Sequence, residues 1–292
     1  MKLSTLAKKE QFVSLFAGKP GAGKTGAICS FAEAGPIKVY DLDKRIRGVF
    51  GVAEYIGKQN LDKIEVVQPN FEDGWSKFDD MLEMDLVKQK SGNFPYKTVA
   101  FESAATMQKF LVSDSQRLRG NGKGKSRGTI NFWTPDDYNY CSMGFFAFYY
   151  EYAMKMNCNV IVSAWIVDKW GKVEKDGEEN PYGANEVIGE KILLTEKLAE
   201  ELPGYFDEVY TFSKEISGVD GATKYVASFE NTVAKTCHPS LRKKKRLDFT
   251  NKSFYKEWIK LTEHDMDEFM PPKPPEVLGE KVISSSITPL AK

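Results

Sequence analysis

Residues 12–30 read FVSLFAGKPGAGKTGAICS. Phe12, Val13, Leu15 and Phe16 make a β-prone run. Gly18-Lys19-Pro20-Gly21-Ala22-Gly23-Lys24-Thr25 then completes the pattern GxxxxGK[ST], and a helix-prone segment follows. Each residue type has a chemical reason. Glycines let main-chain N–H groups converge on phosphate oxygens with no Cβ in the way, and the helix opening at the loop adds its positive end. Lys24 is the side chain that reaches β- and γ-phosphates, and the Thr25 hydroxyl is the predicted Mg2+ ligand. Gly18, Lys19, Pro20, Gly21, Ala22, Gly23, Lys24, Thr25 and Gly26 are therefore the predicted binding set for ATP with Mg2+. A chance Gly-rich turn would leave the flanking strand and helix patterns unexplained.

Working outward, a helix is expected from about Lys24 to Ala34, stopped by Gly35-Pro36. Ile37–Tyr40 and Ile64–Val67 read as strands. Trp75, Phe78, Met81, Leu82 and Leu86 recur at helical spacing within Asp73–Lys90. Lys97–Phe101 is a fourth strand ending in Glu102, followed by an amphipathic helix with Met107, Phe110 and Leu111. Thr134-Pro135-Asp136-Asp137 is a helix start, with a cap hydroxyl, Pro at the first position and acids in the first turn. That helix is expected to run to about Asn157, before the apolar strand Cys158–Trp165. Val167–Val173 reads as an edge element, Lys175–Asn185 as polar chain and Glu190–Leu202 as a helix. Val209–Phe212 and Tyr225–Phe229 flank the turn Val219–Ala222 as a hairpin. A last helix carries Phe254, Tyr255, Trp258 and Leu261. The alternation predicts an α/β fold with a mainly parallel central sheet, a C-terminal hairpin extension, a core over residues 1–270 and a flexible tail over 271–292.

The chain has 292 residues, 41 basic and 41 acidic, for a formal net charge of zero. Contact with nucleic acid must therefore come from local patches. Cys29, Cys141, Cys158 and Cys237 lie far apart with no CxxC pair, which predicts reduced thiols rather than a disulfide frame or a zinc site. Two histidines give little room for His-based catalysis. No run approaches 18 apolar residues, so a soluble, cytoplasmic chain with no membrane partner is expected.

Three acids sit at strand ends, where a parallel sheet faces its ligand crevice. Glu102 is the predicted carboxylate that orients the water shell of Mg2+, making Thr25 and Glu102 the metal set. Asp41 and Asp43 read either as helix-capping, solvated acids or as the group that polarises the attacking water, with Asp43 the better placed. Lys24, Asp43 and Glu102 are thus the predicted catalytic residues. Arg117 to Gly128 holds five basic residues and four glycines in twelve positions, which predicts an exposed mobile loop. It is either a solvated linker or a contact to a nucleic-acid backbone through Arg117, Arg119, Lys123, Lys125 and Arg127. Phe132 and Trp133 follow and could stack on bases. The run Arg242–Arg246 reads equally as a solvated face, a second nucleic-acid patch or a cation for a neighbouring subunit's γ-phosphate. Trp165 reads as a core or adenine-side aromatic.

In this order FAGKPGAGKT, VYDLDK, TVAFES, the TPDDYN helix, NVIVSAW and LAEELPGYFDEVYTF resemble the RecA-like phage nucleotide-binding proteins, in particular the ATP-dependent single-strand annealing family of the Sak type. The resemblance spans about Phe12 to Leu261. It implies a RecA-like P-loop ATPase that binds ATP and Mg2+, acts on single-stranded DNA in recombination or annealing, and assembles as a ring or filament. A single-strand-binding protein is a further candidate partner. On that template Asp43 falls at the catalytic carboxylate, Arg117–Gly128 at the first DNA-binding loop and the polar stretch after Trp165 at the second. Glu102 stands where an aspartate is usual, and Trp165 where recombinases carry a polar residue that couples γ-phosphate to DNA. The rival readings are an ATP-switched assembly or interaction protein that never touches DNA, and a small-molecule kinase.

Overall fold

The apolar run ahead of the phosphate loop buries both of its faces, as a central parallel strand must. Strand β1 (Val13–Gly18) directs Val13, Leu15 and Ala17 into one hydrophobic cluster, while Phe12 and Phe16 enter a second on the opposite face. A computed structural model describes residues 11–120, 133–172, 174–175, 178–179, 185–216, 221–230 and 234–263. The tail 271–292, the residues Lys123, Lys125, Arg127 and Phe132, and Val219 and Asp220 of the predicted Val219–Ala222 turn lie outside the described residues.

Helix α1 (Lys24–Ser30) follows β1 and continues as a 3-10 turn to Glu33. Strands β2 (Ile37–Asp41), β3 (Ile64–Val67) and β4 (Thr98–Glu102) then alternate with helix α2 (Gly74–Lys90), and α3 (Ala104–Gly120) follows β4. Helix α4 (Pro135–Ala147) starts at a capping box in which the Thr134 N–H donates to Asp137 Oδ2 at 2.8 Å. It gives way to a π-helical turn at Phe148–Tyr152 and a 3-10 turn to Lys155, shorter as an α-helix than its aromatic content suggests.

Strand β5 (Asn159–Lys172) runs past Trp165, where the sequence places a strand end. Short strands β6 (Glu174–Lys175) and β7 (Glu178–Glu179) pair with each other, and β8 (Asn185–Ile192) pairs antiparallel with the outer half of β5. The predicted helix over Glu190–Leu202 therefore begins later, as α5 (Glu196–Tyr205). The physical reason is tertiary: Ile192 sits opposite Ile166 across the ribbon and both are buried, an anchor that local helix propensity does not outweigh.

Strands β9 (Glu208–Ile216) and β10 (Thr223–Ser228) form the expected antiparallel pair. Helix α6 (Pro239–Lys244), strand β11 (Arg246–Asp248) and helix α7 (Phe254–Thr262) complete the described chain. The main sheet runs β11-β10-β9-β1-β5-β4-β2-β3, parallel from β9 through β3, with β10 and β11 antiparallel at one edge. This is the α/β, mainly parallel architecture with a hairpin extension that the sequence predicts.

Helices α2, α3 and α4 cover one face through Phe78, Phe110, Leu111 and Phe145. Helices α1 and α7 cover the other through Ile28, Phe31, Phe254 and Trp258, each large side chain contributing about 2–3 kcal/mol by burial. Trp258 Nε1 donates to the Tyr210 hydroxyl at 3.0 Å, so the last helix is pinned by a polar bond as well as by packing.

Candidate nucleotide site

The strand register brings the predicted residues together. Gly18 at the end of β1 lies level with Trp165 on β5 and Phe212 on β9, and Asp41 on β2 lies level with Glu102 on β4. Strand β5 separates the phosphate-loop strand from the Glu102 strand. Above this edge opens a cavity of about 510 Å3 lined by Pro20–Ala27, Asp43, Arg45, Glu102 and Trp165.

Two glycines of the loop have structural duties besides the ligand. A Cβ on Gly18 would lie 2.5 Å from the Phe212 carbonyl oxygen, so β1 and β9 approach as closely as they do only with glycine there. Gly23 caps α1 with φ 90°, and a Cβ would press on Tyr225 and Phe249 at 3.2–3.3 Å.

Lys24 is buried, and its Nζ donates to the carbonyl oxygens of Gly18 at 2.7 Å and Lys19 at 3.1 Å. Burial pulls its pKa down to about 8 against the attraction of Glu102 and Asp43, so the site lacks enough counter-charge of its own to hold this cation at its ordinary value. Glu102 is 5% exposed and accepts the Thr25 hydroxyl hydrogen bond at 2.7 Å, across 77 positions of sequence. Burial raises its carboxyl to about 7; the Thr25 hydrogen bond opposes that rise and the neighbouring Asp41 adds to it. The two oxygen ligands predicted for Mg2+ are thus adjacent, and a divalent cation would relieve the crowding of carboxylates beside them. The donor set fits the ion and the loop fits a phosphate chain.

Asp41 and Asp43 separate into different roles. Asp41, fully buried, accepts the N–H groups of Arg45 at 2.9 Å and Ile46 at 3.2 Å and the Gln68 amide at 2.8 Å, so it caps the turn after β2. Asp43 lines the cavity, and its Oδ1 accepts the Thr106 hydroxyl. Its own N–H and that of Leu42 donate to the Glu102 carbonyl at 3.1 and 2.7 Å, locking the turn to the end of β4.

Sequence reading missed several lining residues. Arg45, two positions after Asp43, lays its guanidinium 5.2 Å from the centre of the Trp165 ring. Tyr55, Tyr225, Phe249 and Asn251 complete the wall. They come from segments as far apart in the chain as Tyr55 and Asn251 and have no spacing motif, so only the folded sheet edge assembles them. Lys19 is exposed and bonds Asp168 on the outer part of β5 at 2.6 Å, which ties the phosphate loop to the β5–β8 ribbon.

Trp165 also lines a second, larger cavity of about 800 Å3 with Gln108, Lys109, Trp133, Tyr138 and Thr195. Trp133 is 38% exposed and tilts against Tyr138. The predicted basic loop begins differently from expectation: Arg117–Gly120 are the last turn of α3. The Arg117 guanidinium folds back on the start of α2, so close that a Cβ on Gly74 would lie 2.5 Å from its Nη1. Arg119 stands in the same helical turn, while Lys123, Lys125 and Arg127 lie outside the described residues. The run Arg242–Arg246 is largely engaged in the fold. Arg242 Nε donates to the Thr236 carbonyl at 2.8 Å, Lys245 pairs with Glu230 at 2.9 Å, and Arg246 pairs with Glu215.

Among the described residues no helix is long and apolar enough to cross a membrane. No protein-family model matches the chain, and no curated protein matches it. Among solved structures it is similar to a KaiC-like protein from the hyperthermophilic archaeon Pyrococcus horikoshii OT3. The two share 14% identity with a TM-score of 0.40, over 74% of this chain and 77% of that one.

Proposed function

We propose that this chain is a RecA-like ATPase that acts on single-stranded DNA, in recombination or strand annealing, as a homo-oligomer in the cytoplasm. The observation that carries the nucleotide half of this reading is the 2.7 Å meeting of Thr25 and Glu102 at the mouth of the phosphate loop. Mg–ATP, when bound, supplies the activated phosphoryl group and most of the charge that the site must manage. Lys24 leaves the two loop carbonyls for phosphate oxygens. Thr25 and Glu102 hold and orient the metal side of the nucleotide. Asp43, fixed by Thr106, orients the hydrolytic water and accepts its proton. Tyr55, Tyr225 and Phe249 exclude water from the rest of the nucleotide.

Arg45 extends this scheme. Arg45 lines the same cavity as the phosphate loop, and its guanidinium rests on Trp165. Arg45→Ala is expected to lower kcat by about 10²-fold while leaving ADP affinity within about twofold, because the cation serves the terminal phosphate alone. Nucleotide titrations and steady-state turnover check this; equal losses for ATP and ADP would assign Arg45 to general binding instead.

What supports the DNA half is the basic, glycine-rich sequence leading into Trp133, which lines the cavity that shares Trp165 with the nucleotide site. Cations interleaved with glycines beside an exposed aromatic suit a single strand, whose phosphates are neutralised while its bases stack. Turnover measured with and without single-stranded DNA tests the reading: stimulation is expected, and indifference to DNA favours an ATP-switched assembly protein. Neutralising Arg119, Lys123, Lys125 and Arg127 together should weaken DNA binding and flatten its salt dependence, by about 0.7 logarithmic unit for each DNA phosphate that is no longer neutralised. Arg117 is left in place because it is built into the α2–α3 packing. An unchanged slope would remove this segment from the DNA surface.

A further inference from the structure

At the opposite end of β9 from the phosphate loop, three metal-ligating side chains meet. Glu208 is the first residue of β9, level with Ser14 at the start of β1, whereas Phe212 is level with Gly18. Its carboxylate oxygen, Cys237 Sγ and a ring nitrogen of His238 all lie within 4.8 Å of one another. Glu208 is fully buried. Oε1 accepts the Cys237 N–H at 2.8 Å and the Cys237 thiol at 2.6 Å, and His238 Nε2 stands 3.9 Å away. The other oxygen, Oε2, is buried and makes no hydrogen bond of regular geometry among the described residues, although the Tyr210 hydroxyl is its neighbour. A buried carboxylate is costly unless hydrogen bonds or a cation compensate its charge.

We propose that Glu208, Cys237 and His238 form a zinc site that clamps the start of β9 to the segment ahead of α6. The ligand chemistry selects the ion. A thiolate, an imidazole and a carboxylate carry a combined charge of −2, and a mixed S, N, O set suits Zn2+ rather than the hard cations Mg2+ or Ca2+. Tetrahedral bond lengths place such ligand atoms roughly 3.3–3.8 Å apart. Cys237 Sγ must therefore move from Oε1 by about 1 Å, which rotation of this exposed side chain provides, while His238 closes by a few tenths of an ångström. Burial, with Glu208 second, pushes the Cys237 thiol up to about 12, so zinc binding releases a thiol proton.

The supporting shell is also present. The His238 ring meets the Trp258 ring edge-on at 5.6 Å, and Trp258 bonds the Tyr210 hydroxyl beside Glu208. Paired main-chain bonds between Val209 and Lys235, at 2.8 and 3.0 Å, hold the two ligand-bearing segments in register. The sequence hides the trio, because Glu208 stands 29 positions before Cys237 and no spaced Cys or His pair marks it. The site serves stability rather than the nucleotide, since it lies at the opposite end of β9 from the phosphate loop.

The test is zinc and cobalt titration of the full-length protein after chelator treatment, followed by calorimetry and by the cobalt absorption spectrum. One ion per chain is expected, with a thiolate-to-cobalt charge-transfer band. Cys237→Ser should abolish the band and weaken zinc binding more than about 100-fold, beyond the 10–100-fold that loss of a supporting hydrogen bond costs. Glu208→Gln should weaken binding likewise; should that buried substitution unfold the chain, Cys237→Ser, at an exposed position, still decides. Zinc bound without the band, zinc affinity unchanged by Cys237→Ser, or no binding to the wild-type chain would each overturn the site and leave Glu208 bonded to Cys237.

Discussion

Lys24→Ala is expected to lower ATP turnover by about 10³-fold or more, roughly 4 kcal/mol of lost charge stabilisation, with the folded state intact. The ammonium is the only cation the phosphate loop holds inside the protein, and in the free chain it bonds two loop carbonyls rather than an acid. Burial already pulls its pKa to about 8, so folding gains little from carrying the charge there. The melting temperature of Lys24→Ala should therefore move by only a few degrees. The same residue becomes decisive once a phosphate chain replaces the carbonyls, since it then faces oxygens whose charge grows along the reaction. Turnover measured beside thermal unfolding separates the two effects. Near-normal hydrolysis in a folded Lys24→Ala protein would refute the nucleotide assignment of the whole crevice.

Glu102→Gln should divide activity from stability in opposite directions. The amide keeps the shape of the side chain and an oxygen to accept from Thr25, and it loses the charge that orients the metal. A fall in kcat of about 10²-fold is expected. The free protein should gain about 1–3 kcal/mol, several degrees in melting temperature, because an uncharged group no longer has to be buried beside Asp41 and Asp43. The sign follows from the raised carboxyl. An acid whose folded-state pKa lies near 7, above its unfolded value, disfavours folding once the solution is alkaline enough to ionise it. The stability gain of Glu102→Gln is therefore greatest above pH 7 and disappears below the ordinary carboxylate range. Denaturant unfolding at pH 8 and pH 5 reads it directly. A gain over the wild type that is absent or equal at the two pH values, with normal turnover, would place Glu102 outside the metal shell. Glu102→Asp is the companion variant, and retained activity there would show that one methylene is not critical to metal contact.

The parts of this protein that were legible from sequence are those written in short, contiguous signals. The phosphate loop is such a signal, since glycines at fixed offsets, Lys24 and Thr25 must be neighbours in sequence to be neighbours around a phosphate. Parallel strands buried on both faces are near-continuous apolar runs, so β1, β2, β4 and the first half of β5 could be read directly. Residues decided by pairing with distant chain were not legible. The extension of β5 beyond Trp165 depends on β8, and β8 displaced the start of a predicted helix because Ile166 and Ile192 bury each other. Asp41 and Asp43 are two positions apart and alike in sequence. Only the fold makes one a buried cap for the following turn and turns the other to the cavity beside residues 20–27. Arg45 on Trp165, the aromatic wall from Tyr225 and Phe249, and the Glu208–Cys237–His238 cluster have the same origin. Local chemistry is encoded by residues adjacent along the chain, whereas these sites arise where a sheet edge gathers strands whose separation in sequence carries no record of their meeting.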